Sequence, residues 1–382
     1  MAKNVVVCFD GTANEFARDH TNVLKLFRIL DNQPDRQVAF YHPGIGTMEA
    51  AAALTSVARK ITKVLGLAIG YGLERDVADA YTFIMRSFLP GDRLFMFGFS
   101  RGAYTVRAVA ALLHMYGLLQ PGNEPMVPYA IRMMNAASRI DDDTGLKLAD
   151  DFRATFRGLD CKPHFVGVWD TVSSVGWIEN PLKLRFTADN PDIAIGRHAV
   201  SIDERRAFFR SNLWRPSPKL TEHGPRDVQQ VWFPGVHCDI GGGYAEAEGG
   251  LWQTTFLWML LEAAKAGLKI DTAKARQVLH KTRIQRPAWA NPKHESLTWY
   301  WWPAEFFPKI PKWRGPEFHW PTMGLFRYRT IQNGALIHRS ALKRIRRPAS
   351  AYRPGNLSDN FVARVNSLSK LPEALAYTAQ QP

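Results

Sequence analysis

Residues 93–113 read RLFMFGFSRGAYTVRAVAALL, and their reading decides the fold. An apolar run stops in Gly98-Phe99-Ser100-Arg101-Gly102, and beyond it apolar residues resume at helical spacing. A G-x-S-x-G sequence in that position is either a tight structural turn or a nucleophile elbow. In an elbow the glycines make room for a strained strand-to-helix turn that lifts the serine hydroxyl above the sheet edge. The spacing predicts a strand over 93–99 and a helix over 101–119, so both flanks fit the elbow. Ser100 is then the candidate nucleophile. The N–H of Arg101, backed by the positive end of the helix, is a candidate oxyanion donor.

Further strand-like runs lie at 4–11 (NVVVCFDG), 37–42 (QVAFYH), 164–170 (HFVGVWD) and 228–237 (VQQVWFPGVH). Several are continuously apolar rather than alternating, the pattern of parallel strands covered on both faces. Helical periodicity occupies 73–89, a stretch after Gly117 that ends near DDDTG (141–145), and a pair over 251–280. Alternating strand and helix predicts an α/β fold, an α/β-hydrolase-like, mostly parallel sheet with helices on both faces. The chain divides into a core with helical cap insertions over 1–284, an aromatic and basic lid or surface excursion over 285–330, and a C-terminal segment over 331–382 that packs on the core.

A serine nucleophile needs a base, and the base needs an orienting carboxylate. In α/β hydrolases these follow the serine in the order acid, then histidine. Asp170 closes one strand-like run and His237 closes a later one, ahead of the glycine-rich CDIGGGY. The plainer alternatives are an aspartate capping a turn and a buried structural histidine. Asp239 is the alternative acid. His198, in RHAVSIDERRAFF, reads as helical and amphipathic with a packing role, and Asp203 as a partner of Arg205 or Arg206 or a helix cap. In CFDGTAN (8–14) an amide of Gly11 or Thr12 could be a second oxyanion donor, or the stretch is an Asp-Gly turn without chemistry.

Other chemistries fit poorly. A haloacid-dehalogenase-like site wants D-x-D, and Cys8 stands at its first position. The chain has no P-loop motif, GIG (44–46) and GYG (70–72) are too weak for dinucleotide binding, and the acids and histidines lack metal-ligand spacing. No cofactor and no metal are expected.

The chain has 382 residues and a net charge of +14. Most of that excess lies between Lys281 and Arg347, where fourteen lysines and arginines face only Glu295, Glu305 and Glu317, together with six of the twelve tryptophans. Cations among aromatics suit an anionic membrane surface. The alternatives are nucleic-acid stacking, which is not the expectation, and a solvated basic surface. The three cysteines are scattered, which fits a reducing compartment. MAKNVVVCFDGT lacks the regions of a signal peptide, and no apolar run is long enough to span a bilayer, so a cytoplasmic protein is expected.

CFDGTANE, the run from GLERDVADAYTF to LLHMYGLL, FVGVWDTVSSVG, HAVSIDERRAFF, VWFPGVHCDIGGGY, IHRSALKRI and YRPGNL occur in this order. Together they resemble the α/β-hydrolase domain of the type VI secretion phospholipase effectors, a family with single-domain relatives in bacteria and fungi. The resemblance implies a serine esterase acting on glycerophospholipids, with Ser100, Asp170 and His237 as triad, and delivery to another cell by a contact-dependent secretion system. The rivals are an esterase or thioesterase on a soluble substrate and a non-catalytic lipid-binding protein on a hydrolase scaffold. Oligomeric state is not legible.

Overall fold

The computed structural model describes residues 2–11, 20–44, 69–137, 142–172, 176–177, 180–181, 184–215, 226–245, 247–280, 288–306, 323–347, 351–357 and 362–364. Eight strands make its main sheet: β1 (Asn4–Phe9), β2 (Gln37–His42), β3 (Arg93–Phe99), β4 (Pro163–Trp169), β5 (Ile195–Ser201), β6 (Asp227–Phe233), β7 (Leu336–His338) and β8 (Val362–Arg364). The helices are α1 (Asn22–Ile29), α2 (Ile69–Ser87), α3 (Arg101–Tyr116), α4 (Val127–Ala137), α5 (Asp142–Phe156), α6 (His237–Gly241), α7 (Trp252–Lys265), α8 (Thr272–His280), α9 (Trp302–Phe306) and α10 (Arg339–Arg346). The sheet order is β8-β7-β6-β5-β4-β3-β1-β2, and every pairing in it is parallel. The α/β class expected from the sequence is the class observed.

The continuous apolar runs follow from burial on both faces. Along β1, Val5, Val7 and Phe9 pack with α2, α3 and α4, while Val6 and Cys8 pack with α1 and α7. β3 divides in the same way, Leu94 and Met96 on the first face and Phe95, Phe97 and Phe99 on the second. A third, smaller cluster joins Val200, Ile202, Trp232 and Ile337 to Ala341 of α10. Among the described residues no helix is long and apolar enough to cross a membrane.

The chain runs from β1 outward to β2, then back to β3 on the other side of β1. That reversal opens a crevice beyond the carboxyl ends of β1 and β3, where open α/β sheets bind ligands. Ser100 sits there, first residue after β3.

Several boundaries differ from expectation. His198 lies in strand β5, not in a helix; its polar neighbours masked a strand whose Arg197 is satisfied by Asp227 and Glu262. The run 228–237 ends as a strand at Phe233, because Pro234 cannot continue the ladder and Gly235 turns with φ 116°. DDDTG opens α5 instead of ending a helix. The C-terminal segment also supplies β7 and β8 to the sheet itself.

Candidate active site

The elbow is set by close backbone approach. Ser100 holds φ 58° and ψ −120°, a conformation that costs a non-glycine residue about 1–3 kcal/mol and persists only where its surroundings enforce it. A Cβ on Gly98 would lie 2.6 Å from the carbonyl oxygen of Gly102, and one on Gly102 would lie 2.3 Å from that of Asp10. Both obstacles are backbone, so neither can swing aside. Gly102→Ala should therefore destabilise the protein by about 3 kcal/mol, because overpacking outweighs the roughly 1 kcal/mol of helix propensity that alanine brings. A loss of unfolding free energy in denaturant titration of less than a third of that amount would refute the close approach of β1 and α3.

His237 begins α6 just beyond the Pro234-Gly235 turn, so its ring is carried by a helix N-terminus and not by a strand end. Its Nε2 lies 2.8 Å from Ser100 Oγ and its Nδ1 lies 2.5 Å from Asp170 Oδ2. Ser100 is 7% exposed, His237 3% and Asp170 fully buried. The imidazole is held between Phe99 and Phe209, at ring distances of 4.6 and 4.9 Å. Phe209 in turn meets Trp301 edge-on, and the Arg206 guanidinium lies 3.6 Å over the Phe209 ring.

Asp170 is more heavily tied than a turn-capping aspartate would be. Its Oδ1 accepts from the Ser201 N–H at 2.9 Å. Arg329 grips it from the other side, Nη1 to Oδ1 at 2.6 Å and Nη2 to Oδ2 at 2.9 Å. Arg329 is itself 2% exposed and also donates to the carbonyl oxygen of Phe209. Burial alone would raise the Asp170 carboxyl, but the charge of Arg329 and the contact with His237 hold it well below the usual carboxylate range. Burial pushes the His237 imidazole below its ordinary value, against the pull of Asp170.

A second buried ion pair stands on the other side of His237. Glu204 Oε2 accepts from the His237 backbone N–H at 3.1 Å, and Arg206 pairs with Glu204 through contacts of 2.9 and 3.0 Å. Burial would raise the Glu204 carboxyl, yet Arg206 brings it down to about 2. The partner of Arg206 is thus Glu204, not Asp203. Asp203 instead accepts from the Gly235 N–H and the Tyr352 hydroxyl.

Of the other expected site residues, Asp239 does not reach His237 through its carboxylate: it accepts from His294 Nδ1 at 2.7 Å and from the backbone N–H of Val236 and His294. Arg101 opens α3, so its amide has no acceptor within the helix. The Gly11 amide donates to Asp10 Oδ1 at 2.7 Å and is already committed there. Thr12 lies outside the described residues. His198 packs against Trp214 and accepts at Nε2 from the Thr171 N–H. Burial first, then the charge of Arg107, takes its imidazole down to about 3.

Sequence reasoning missed Arg329, Glu204 and Phe209. Glu204 was one residue from the acid singled out in DERR. Arg329 sits in an aperiodic stretch 92 residues past His237, where no motif or spacing marks it.

The chain is 36% identical over 230 residues to the uncharacterized protein YEL023C of Saccharomyces cerevisiae, covering 57% of this chain and 33% of that one. An uncharacterized protein from Pseudomonas aeruginosa of known structure shares 17% identity at a TM-score of 0.38, over 75% of this chain and 51% of that one. The Tle1 effector bound to the VgrG spike of the type 6 secretion system shares 20% identity at a TM-score of 0.35, over 65% of this chain and 53% of its own. The chain therefore spans a third to a half of the length of these relatives. Residues 3–262 match the family model for the type VI secretion Tle1-like phospholipase effector catalytic domain. The elbow, the candidate acid and the candidate base all fall within that match, and the chain belongs to this family of Tle1-like catalytic domains.

Proposed function

We propose that the protein is a serine hydrolase that cleaves a carboxylic ester of a glycerophospholipid. The observation that carries this reading is the buried relay Ser100 Oγ, His237 Nε2 and Nδ1, Asp170 Oδ2, standing at an elbow with the serine at positive φ. Ser100 Oγ attacks the ester carbonyl while its proton passes to His237 Nε2. The amide of Arg101, at the positive end of α3, donates to the oxyanion, a contact typically worth about 3 kcal/mol in the transition state. As the C–O bond breaks, His237 returns the proton to the leaving lysophospholipid alcohol. Water then attacks the acyl-Ser100 ester, giving its proton to His237, and the fatty acid leaves as Ser100 Oγ recovers a proton. Asp170 holds the imidazole in the required tautomer throughout.

Two features favour a phospholipid over a neutral soluble ester. The Arg101 guanidinium, beside the nucleophile in sequence, is brought down to about 10 by burial and has no carboxylate partner among the described residues. Near the site, Trp299 and Trp302 of the 285–330 excursion are 74% and 51% exposed, while Trp301 between them packs toward Phe209. We assign this stretch as the wall that meets the acyl chain and the membrane. A cleft of about 460 Å³ between Trp289 and Arg339, Lys343, Arg346 and Arg347 supplies the matching cations.

Fluorophosphonate labelling together with lysophospholipid release from vesicles tests the reading. Wild type should label, and turnover should rise on vesicles, most of all on anionic ones. Failure to label beside an active control hydrolase would return the protein to the lipid-binding reading, and labelling without phospholipid turnover would leave a soluble ester. Lys343→Gln with Arg346→Gln should weaken binding to phosphatidylserine vesicles about thirtyfold at low salt, at roughly 1 kcal/mol per cation, while labelling stays unchanged. The loss should shrink as salt rises. Equal binding by both proteins would rule out this cleft as the membrane contact.

A further inference from the structure

The two carboxylates that touch His237 are each matched by a buried guanidinium, Asp170 by Arg329 and Glu204 by Arg206. Two negative and two positive charges thus surround one imidazole. Their other neighbours add no charge of consequence at the ring. His198 behind Asp170 is kept neutral by burial and by the charge of Arg107, Asp239 is turned to His294, and the half-buried Cys238 has its thiol raised to about 12, chiefly by desolvation. The Phe99 and Phe209 rings pack against the imidazole and bring no charge. Arg206 is local, two residues from its acid. Arg329 is not: it comes 159 residues after Asp170, from beyond the family match that ends at residue 262.

We propose that Arg329 is a positioning residue of this site: its guanidinium fixes the Asp170 carboxylate for His237 and supplies the counter-charge that this buried acid would otherwise draw from His237. The inference rests on the hydrolase reading only for its consequence in catalysis, since the charge balance is a property of the fold. A planar fork with two parallel contacts fixes both oxygens of a carboxylate, which a lysine ammonium cannot do. The fork is anchored in turn, because Arg329 also donates to the carbonyl oxygens of Phe209 and Ser201. Phe209 covers the His237 ring, so one side chain ties the acid to the cover of the base.

The carrier of Arg329 also bears on the site. Residues 323–330 include Leu325 and Phe326, both at positive φ, with the Phe326 N–H held by the buried Glu305 of α9. The Trp302 and Phe306 rings of α9 meet Phe326. The guanidinium that fixes the acid therefore arrives on the same stretch that braces the exposed aromatics.

The sign of the pH effect follows. A buried carboxylate without a counter-charge stabilises imidazolium and raises the histidine; one cancelled by a guanidinium does so far less. The wild-type acid limb of labelling, which reports the free enzyme, should therefore fall below the ordinary histidine value of about 6.5. In Arg329→Met the limb should move up by about one unit or more, with slower labelling. Arg329→Lys should keep the limb near wild type yet label more slowly, because the charge remains and the fork is lost. Slow labelling by Arg329→Met at an unmoved midpoint would reduce Arg329 to a structural residue, and wild-type labelling rates in Arg329→Lys would remove the positioning role. Should Arg329→Met not fold, the wild-type midpoint and Arg329→Lys still decide, since a wild-type limb above the ordinary value overturns the counter-charge. NMR titration of the His237 ring in the same proteins makes the comparison without turnover. A wild type that fails to label while Arg329→Met still raises the NMR midpoint would sink the hydrolase reading and leave the counter-charge standing.

Discussion

Ser100→Ala should remove fluorophosphonate labelling entirely and lower phospholipid turnover by about a million-fold, the loss typical of removing one member of a triad that acts as a unit. The physical reason is that His237 Nε2, 2.8 Å from the hydroxyl, then has no proton to take and no nucleophile to release. His237→Ala added to Ser100→Ala should cost almost nothing more, because the two side chains serve one step. Stability should change by no more than about 1 kcal/mol, the net worth of one hydrogen bond, since alanine keeps the Cβ that the elbow already accommodates at φ 58°. Residual turnover above a few per cent in Ser100→Ala would point to another nucleophile. A further thousand-fold fall in the double variant would mean that the two residues act separately.

Asp170→Asn should lose about ten-thousand-fold in turnover and, unlike Ser100→Ala, should also destabilise the fold by about 3–5 kcal/mol. The first effect comes from the imidazole: an amide at Asp170 no longer fixes the tautomer whose Nδ1–H faces the acid. The second comes from Arg329, 2% exposed, which would keep its charge with no carboxylate to meet it. The effects separate in Asp170→Asn with Arg329→Met, where the orphaned charge is gone. That protein should regain most of the lost stability in denaturant titration and none of the activity. Recovery of activity would exclude Asp170 as the acid. Equal stability of the single and double variants would mean that the Arg329 contact has no energetic weight.

How much of this was legible in the sequence depends on whether the signal was local. The elbow was, because a strand ending, two glycines and a helix start lie within ten residues and each constrains the backbone there. Asp170 was, for the same reason: a strand of continuous apolar residues runs straight into it. The strand β5 was not, since Arg197 and His198 interrupt the apolar pattern and find Asp227, Glu262, Gln230 and Thr171 as partners, which the fold brings from elsewhere. The three-residue strand β7 is too short to carry a period and owes its place to pairing with β6. The sequence reading placed His237 at the end of a strand, whereas the strand stops at Phe233 and His237 opens a helix, a turn that the proline and glycine before it were sufficient to mark. Arg329 was beyond reach, because a buried ion pair 159 residues apart leaves no trace in spacing.

The long separation between base and counter-charge has a consequence in time. Chains leave the ribosome at about 5–20 residues per second, N-terminal parts first. Ser100, Asp170 and His237 are all synthesised before Arg329, which follows His237 by 92 residues. For roughly 5–20 seconds a nascent chain carries Ser100, Asp170 and His237 without the guanidinium that pairs with Asp170, and without the two strands that complete the sheet at that edge. If Arg329 positions Asp170 as proposed, the relay reaches its full order only when the late segment has folded back onto Asp170.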